Sequence, residues 1–380
     1  MFLTDITLAL LLAVVIGAVV ARFGINRIVG YILAGIVIGP FTPGIFVRTE
    51  TIENLAELGL VFLLFSLGLG FSFAEMRSAG AVAIAGNAAV MAILALVFAG
   101  LAIVLGFPHP WVLALTTILS STAIGAALLR DWGVDNAYVG HLALGLLVVQ
   151  DLVAVILLVI VATPASQLSL AGILLPVFKA IVFVAVALVL GATLLRRIVV
   201  ATVARAPSEA VFGACAAIAL FAGFLAYVFG LPYEFGAFIA GAVISEAAGS
   251  AQIASIVMPF RALFVSLFFV AVGMLIDPAI VLRNWPIIIG VGAAFVIFRG
   301  LVWSALGKVA GLAWPSAIIM GVALVPLGEF NIVLANTAVT ASGINDYERS
   351  ILIGITFFSI LAATLGAPLF NRFGAAARSR

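Results

Sequence analysis

Charge is what this sequence has least of. Only 8% of its 380 residues are Asp, Glu, Lys or Arg, against roughly 25% in an ordinary soluble domain. With 66% hydrophobic residues, no water-facing surface can be made, and the chain reads as an integral membrane protein. The formal charge is +2 without any Lys/Arg run, so no nucleic-acid partner is expected. Cys215 is the single cysteine. That excludes an intramolecular disulfide, leaves the redox compartment unread, and makes Cys215 a small buried apolar residue. Neither HExxH nor GxSxG occurs, so hydrolase chemistry has no support. No polar block is long enough to fold separately, which gives one membrane domain over 1–380 and no soluble regulatory domain. No cofactor is expected.

What the sequence does have is apolar length. A spanning helix needs about 20 mostly apolar residues. Pro, Gly and charge divide the chain into thirteen such segments: 4–21, 28–43, 52–70, 79–106, 111–130, 137–162, 170–195, 208–230, 233–247, 257–275, 281–306, 315–341 and 348–371. The first, TDITLALLLAVVIGAVVARFG, carries Asp5 where a signal peptide has a basic start, and reads as a retained helix. With this division twelve Lys/Arg fall on one side, four on the other, and Arg299 inside a span. The positive-inside rule then puts the amino terminus outside and the carboxyl terminus in the cytoplasm. Segment 2 holds Gly30, Gly35 and Gly39 on related faces. Close helix packing is the plain use of such a stripe, a substrate route the other.

Four polar features fall at one depth. Asp151 is central in segment 6, Arg299 just past the centre of segment 11, and Glu329 near the centre of segment 12. A charge at the bilayer centre costs about 2.5–3.5 kcal/mol on insertion scales, so each requires pairing, hydration or function. An internal salt bridge is one answer, and snorkelling is another for Arg299. Two acids share one cation, however, and the acid left over is the better candidate for binding protons or cations. The fourth feature is TTILSSTAIG in segment 5, with Ser120, Ser121 and Thr122 at mid-membrane. Its hydroxyls can bond back to helix carbonyls, or the helix is broken there beside Asp151. Segment 12 contains ALVPLGEFNIVL, where Pro326 removes a donor and Gly328 adds freedom before Glu329. Two interrupted segments in corresponding halves point to an inverted-repeat transporter, with a kinked continuous helix as the alternative.

The motifs VGYILAGIVIGPFTPG, LAELGLVFLLFSLGLGFS, SSTAIG, VVQDLVAV, FGAFIAGAVIS, LFFVAVGMLID and PLGEFNIVL run in order along nearly the whole chain. In these the chain resembles the membrane domain of the monovalent cation:proton antiporters of family 2, nearest their Kef-type potassium/proton group. The resemblance implies an all-α, inverted-repeat, sodium/proton-antiporter-like fold of about 13 transmembrane helices with crossed broken helices 5 and 12. It implies a homodimer in an inner (plasma) membrane. Its scaffold helices would lie within 1–75 and 208–276 and its mobile core within 79–162 and 281–373, joined by helix 7. Asp151 falls on the ion-binding aspartate, Gln150 on the position before it, and Thr122 and Ser121 on the crossed-helix ligands. The transported monovalent cation would sit on Asp151, Gln150 and Thr122. Arg299 and Glu329 match the family's core charges.

Two features depart from parts of the family. Electrogenic sodium/proton relatives carry two adjacent acids, where this chain has Gln150 and Asp151. Kef-type proteins also carry a cytoplasmic nucleotide-binding domain after the last helix, while this sequence stops at Arg380; a separate cytoplasmic regulatory subunit would be the corresponding partner. Desolvation penalises a charged carboxylate and a bound cation favours it, so one acid holds either a proton or a cation. With one such acid the expected cycle is electroneutral potassium/proton exchange by alternating access. Sodium/proton exchange on the same site is the alternative, and a cation channel without proton coupling the rival class. His109 and His141 read as ordinary surface histidines and RDWGVD as a solvated cytoplasmic turn.

Overall fold

The computed structural model describes all residues except 1, 24, 26, 43–48, 71–79, 164–169, 191–206, 247–249, 342 and 379–380. Arg48, Arg77, Arg196, Arg197, Arg205 and Arg380 of the charge-alternation argument lie outside the described residues. Among those described, every regular element is a helix. In chain order they are α1 (Phe2–Arg22), α2 (Arg27–Ile38), α3 (Thr49–Leu69), α4 (Gly80–Val104), α5 (Pro110–Leu115), α6 (Thr122–Asp131), α7 (Tyr138–Val161), α8 (Leu170–Leu190) and α9 (Ser208–Val228). There follow α10 (Tyr233–Ser245), α11 (Ser250–Met274), α12 (Pro278–Arg283), α13 (Trp285–Val309), α14 (Trp314–Ala323), α15 (Glu329–Ala341), α16 (Asp346–Gly366) and α17 (Asn371–Arg378). Each of the thirteen expected segments contains a helix or a pair of half-helices. Among the described residues seven spans are long and apolar enough to cross a membrane, in α1, α4, α7, α9, α11, α13 and the stretch Asp346–Ala377 that begins with α16.

The chain divides into two compact units. The first comprises Met1–Gly17, Gly30–Ser72 and Leu158–Leu275. Its core is small and close-packed, with Phe65, Cys215, Ala219, Ala237 and Ile253 all buried. Gly35 of α2 lies against the Val270 carbonyl and the Gly273 backbone of α11, and a Cβ there would clash. The Gly30–Gly39 stripe therefore serves helix packing, the plainer of its two readings.

The second unit comprises Ala18–Val29, Phe73–Leu157 and Ile276–Arg380. Phe98 and Phe295 pack at 4.5 Å between centroids, and Trp303 is fully buried. Trp111, Trp285 and Trp314 stand exposed at helix starts, where an interfacial aromatic belt would place them. The helix beginning at Asp346 is opened by a capping box, with Asn345 and Glu348 satisfying each other's backbone N–H.

Two readings of this unit need correction. His109 is no ordinary surface histidine: its backbone N–H and its Nδ1 meet the carboxylate of buried Glu348 at 3.1 and 2.9 Å. The RDWGVD turn is only partly solvated, because Trp132 is buried and donates through Nε1 to the Ala367 carbonyl at 3.2 Å. In both cases the partner lies more than 200 residues away, out of reach of local sequence reasoning. His141 is exposed, as its position suggested.

Candidate functional site

Both interruptions are real. Residues 116–121 separate α5 from α6, and residues 324–328 separate α14 from α15. The two breaks cross each other: Ser121 N–H donates to the Pro326 carbonyl at 2.7 Å. A methyl group on Gly328 would come 2.8 Å from Ser121 Cβ, so only glycine allows this approach. Hydroxyls also bond locally, since Thr117 Oγ donates to the Ala114 carbonyl at 2.9 Å, but that does not keep the helix whole.

A broken helix leaves backbone groups that hydrocarbon cannot satisfy, and here side chains take up several of them. Arg299 of α13, fully buried, donates to the carbonyls of Thr117 at 2.7 Å and Leu119 at 3.1 Å, to that of Leu324 at 3.1 Å, and to Ser120 Oγ at 2.7 Å. Ser120 Oγ in turn donates to the Leu324 carbonyl at 2.7 Å. Asn331 Nδ2 reaches the Leu119 carbonyl at 3.3 Å. The Ser120 N–H donates to Gln150 Oε1 at 2.7 Å, and the Leu327 N–H to Ser359 Oγ at 3.0 Å. The guanidinium thus faces the carbonyl ends of α5 and α14, where positive charge is favoured. Salt bridge and snorkelling both yield to this arrangement. Glu329 is buried at the first position of α15, the opposite, N-terminal end of a half-helix.

Asp151, on α7 and partly buried, faces α6. Thr122 Oγ1 lies 3.0 Å from each of its carboxylate oxygens, and Thr122 is the first residue of α6, so the acid stands at the positive end of that half-helix. The pair offers hard oxygen atoms of the kind an alkali cation accepts. The neighbouring Gln150 is fully buried and turned elsewhere. Its oxygen takes the Ser120 N–H, and its Nε2 donates to Asn87 Oδ1 at 3.3 Å. Asn87 completes the chain by donating to the Leu146 carbonyl at 3.2 Å. Ser121 Oγ accepts from the Ile124 N–H at 3.4 Å as the N-cap of α6.

Of the residues singled out in the sequence, Asp151 and Thr122 therefore meet directly. Gln150, Ser121, Arg299 and Glu329 surround the crossing without meeting the carboxylate in any bond described above. Sequence reasoning missed Asn87, Asn331 and Ser359 as braces. For Asn87 and Asn331 a signal existed, since amides inside apolar spans are costly and need partners. For Ser359 there was none.

Comparison with known proteins gives the family and the fold. The model of the family described as sodium/hydrogen exchanger, transmembrane, matches residues 8–372. The Escherichia coli K12 protein YbaL, provisionally named a cation/proton antiporter, is 30% identical over 98% of this chain and 69% of its own. K(+) efflux antiporter 1, chloroplastic, of Arabidopsis thaliana is 31% identical over 89% of this chain but only 29% of its own, so here the chain matches less than a third of its relative. The solved structure of the sodium proton antiporter MjNhaP1 from Methanocaldococcus jannaschii superposes with a TM-score of 0.73 over 99% of this chain and 98% of that one, at 16% identity. That likeness establishes the fold.

Proposed function

The chain belongs to the sodium/hydrogen exchanger, transmembrane, family of multi-pass cation/proton antiporters, and from that premise we propose that it exchanges potassium ions for protons, one for one, at Asp151. The observation that carries the proposal is the pairing of Asp151 with the Thr122 hydroxyl at the open end of a broken helix. One carboxylate that accommodates a proton or a cation, but not both, couples the two flows by competition. Potassium is favoured over sodium by the Kef-type motif Gln150–Asp151 and by the name of the plant relative. Because Gln150 is neutral and committed to backbone, a cycle through the single acid moves no net charge. Each net charge moved would couple to the membrane potential by about 2.3 kcal/mol per 100 mV, so exchange is insensitive to voltage.

All groups of the site belong to the second unit. A movement that carries this unit as a body carries the site intact, which suits alternating access with that unit as the core and the first as the scaffold. The working form is proposed to be a homodimer in the plasma membrane, amino terminus outside, requiring no cofactor.

The test uses proteoliposomes with an internal pH dye. Potassium added outside alkalinises the lumen, because each potassium ion entering drives a proton out, in proportion to its gradient and equally at clamped potentials of either sign. Asp151→Asn abolishes the signal while the protein remains monodisperse. Potassium/proton exchange persisting in that variant, or potassium current without proton movement, overturns the reading.

A further inference from the structure

The first unit carries an apolar groove that the exchange site does not use. It has a volume of about 240 Å³ and runs between α8, α9 and α10, with Phe183 to Leu190 on one wall, Ile218 to Phe229 on the second and Gly236 to Val243 on the third. From Ile218 to Phe229 the groove is about 16 Å long at 1.5 Å per residue, close to half of a ~30 Å hydrocarbon core, one leaflet deep. Phe221 and Leu190, at its lips, are more than half exposed.

One end of the groove is chemically distinct. Lys179 lies one turn before Phe183 on α8, and its ammonium sits at the turn closing α9, where a methyl group on Gly230 would be 3.3 Å from Nζ. Gly230 has a φ of 76°, a left-handed conformation that keeps this turn open. At the same turn Tyr227 and Tyr233 stack at 4.8 Å, both substantially exposed, as tyrosines do at headgroup level. The nearest acid along the chain, Glu234, lies about 200° around α10 from the groove-lining Gly236, and its electrostatic neighbour is Glu57 of α3. The mouth is therefore cationic and aromatic, and the interior wholly apolar.

We propose that this groove binds an anionic phospholipid, its phosphate on Lys179 and one acyl chain along α8, α9 and α10. An ammonium with three donors suits a phosphate oxygen, part of its charge being steadied by the carbonyl end of α9. The match of groove length to one leaflet selects an acyl chain over a short ligand, and the cation at its mouth selects an acidic headgroup over a zwitterionic one.

The test measures spin-labelled phosphatidylglycerol and phosphatidylcholine on the full chain in phosphatidylcholine bilayers. The motionally restricted fraction favours phosphatidylglycerol at least threefold in the unmodified protein. Lys179→Gln brings that ratio close to one, and Lys179→Arg preserves it. Ala187→Phe, which fills the groove, lowers the restricted fraction for both lipids. Potassium/proton exchange in each variant reports that the fold is intact. Equal selectivity in the unmodified and Lys179→Gln proteins overturns the proposal. So does efficient self-cross-linking of Ala187→Cys, in a Cys215→Ala background, which would show a second copy of the chain covering the groove.

Discussion

In α14–α15 the interruption is written into the covalent chain, whereas in α5–α6 it is imposed by partners. Pro326 lacks a donor and Gly328 lets the backbone turn, so residues 324–328 leave the helix on local grounds. Residues 116–121, TTILSS, contain neither proline nor glycine. Their departure from the helix is held by Arg299 on two carbonyls and by Gln150 on the Ser120 N–H. The same crossing thus joins one segment that cannot continue as a helix and another that is kept from doing so. A break held by side chains can be adjusted by those side chains, which places the adjustable half next to Asp151.

This contrast is broken most severely at Arg299. Replacing it with leucine leaves the Thr117 carbonyl without its donor and the Leu119 and Leu324 carbonyls with one donor each, at about 1–3 kcal/mol for the group left unsatisfied, and removes the positive charge from two helix carbonyl ends. The expected outcome is loss of folded, monodisperse protein on size-exclusion chromatography; an Arg299→Leu variant with unchanged melting temperature would show that water can replace the guanidinium. Gln150→Leu is the next in size. It strands the Ser120 N–H and Asn87 Oδ1, costing about 1–3 kcal/mol, and loosens α5–α6 more than α14–α15, read as faster hydrogen exchange at 116–121 than at 324–328. Equal acceleration of both would dissolve the comparison. Ser359→Ala has the smallest effect. It removes the partner of a single N–H at Leu327, beside a proline and a glycine that maintain the break anyway, and should lower stability by about 1 kcal/mol with exchange activity retained.

How far the site could be read from the sequence follows the same contrast. The second break was legible because Pro326 and Gly328 act locally. The first was visible only as a choice between hydroxyls bonded back to their own helix and a broken helix, and the choice depended on Arg299, some 180 residues distant. Asp151 and Glu329 stood out because isolated carboxylates in apolar spans are rare. His109 did not, since its partner Glu348 is 239 residues away. Gln150 was read as an oxygen ligand beside Asp151, and the structure turns that oxygen to the Ser120 N–H.

The sequence by itself determined that the chain is a bundle of membrane helices, where its second break lies, and which acids need a reason to be there. It could do so because hydropathy, proline and intramembrane charge act on the residues that carry them. Tertiary structure alone decided which atoms face Asp151. Consecutive residues on a helix point about 100° apart, so adjacency of Gln150 and Asp151 says nothing about a shared site. Only the packing of α4, α6 and α7 sends one side chain to Asn87 and Ser120 and the other to Thr122.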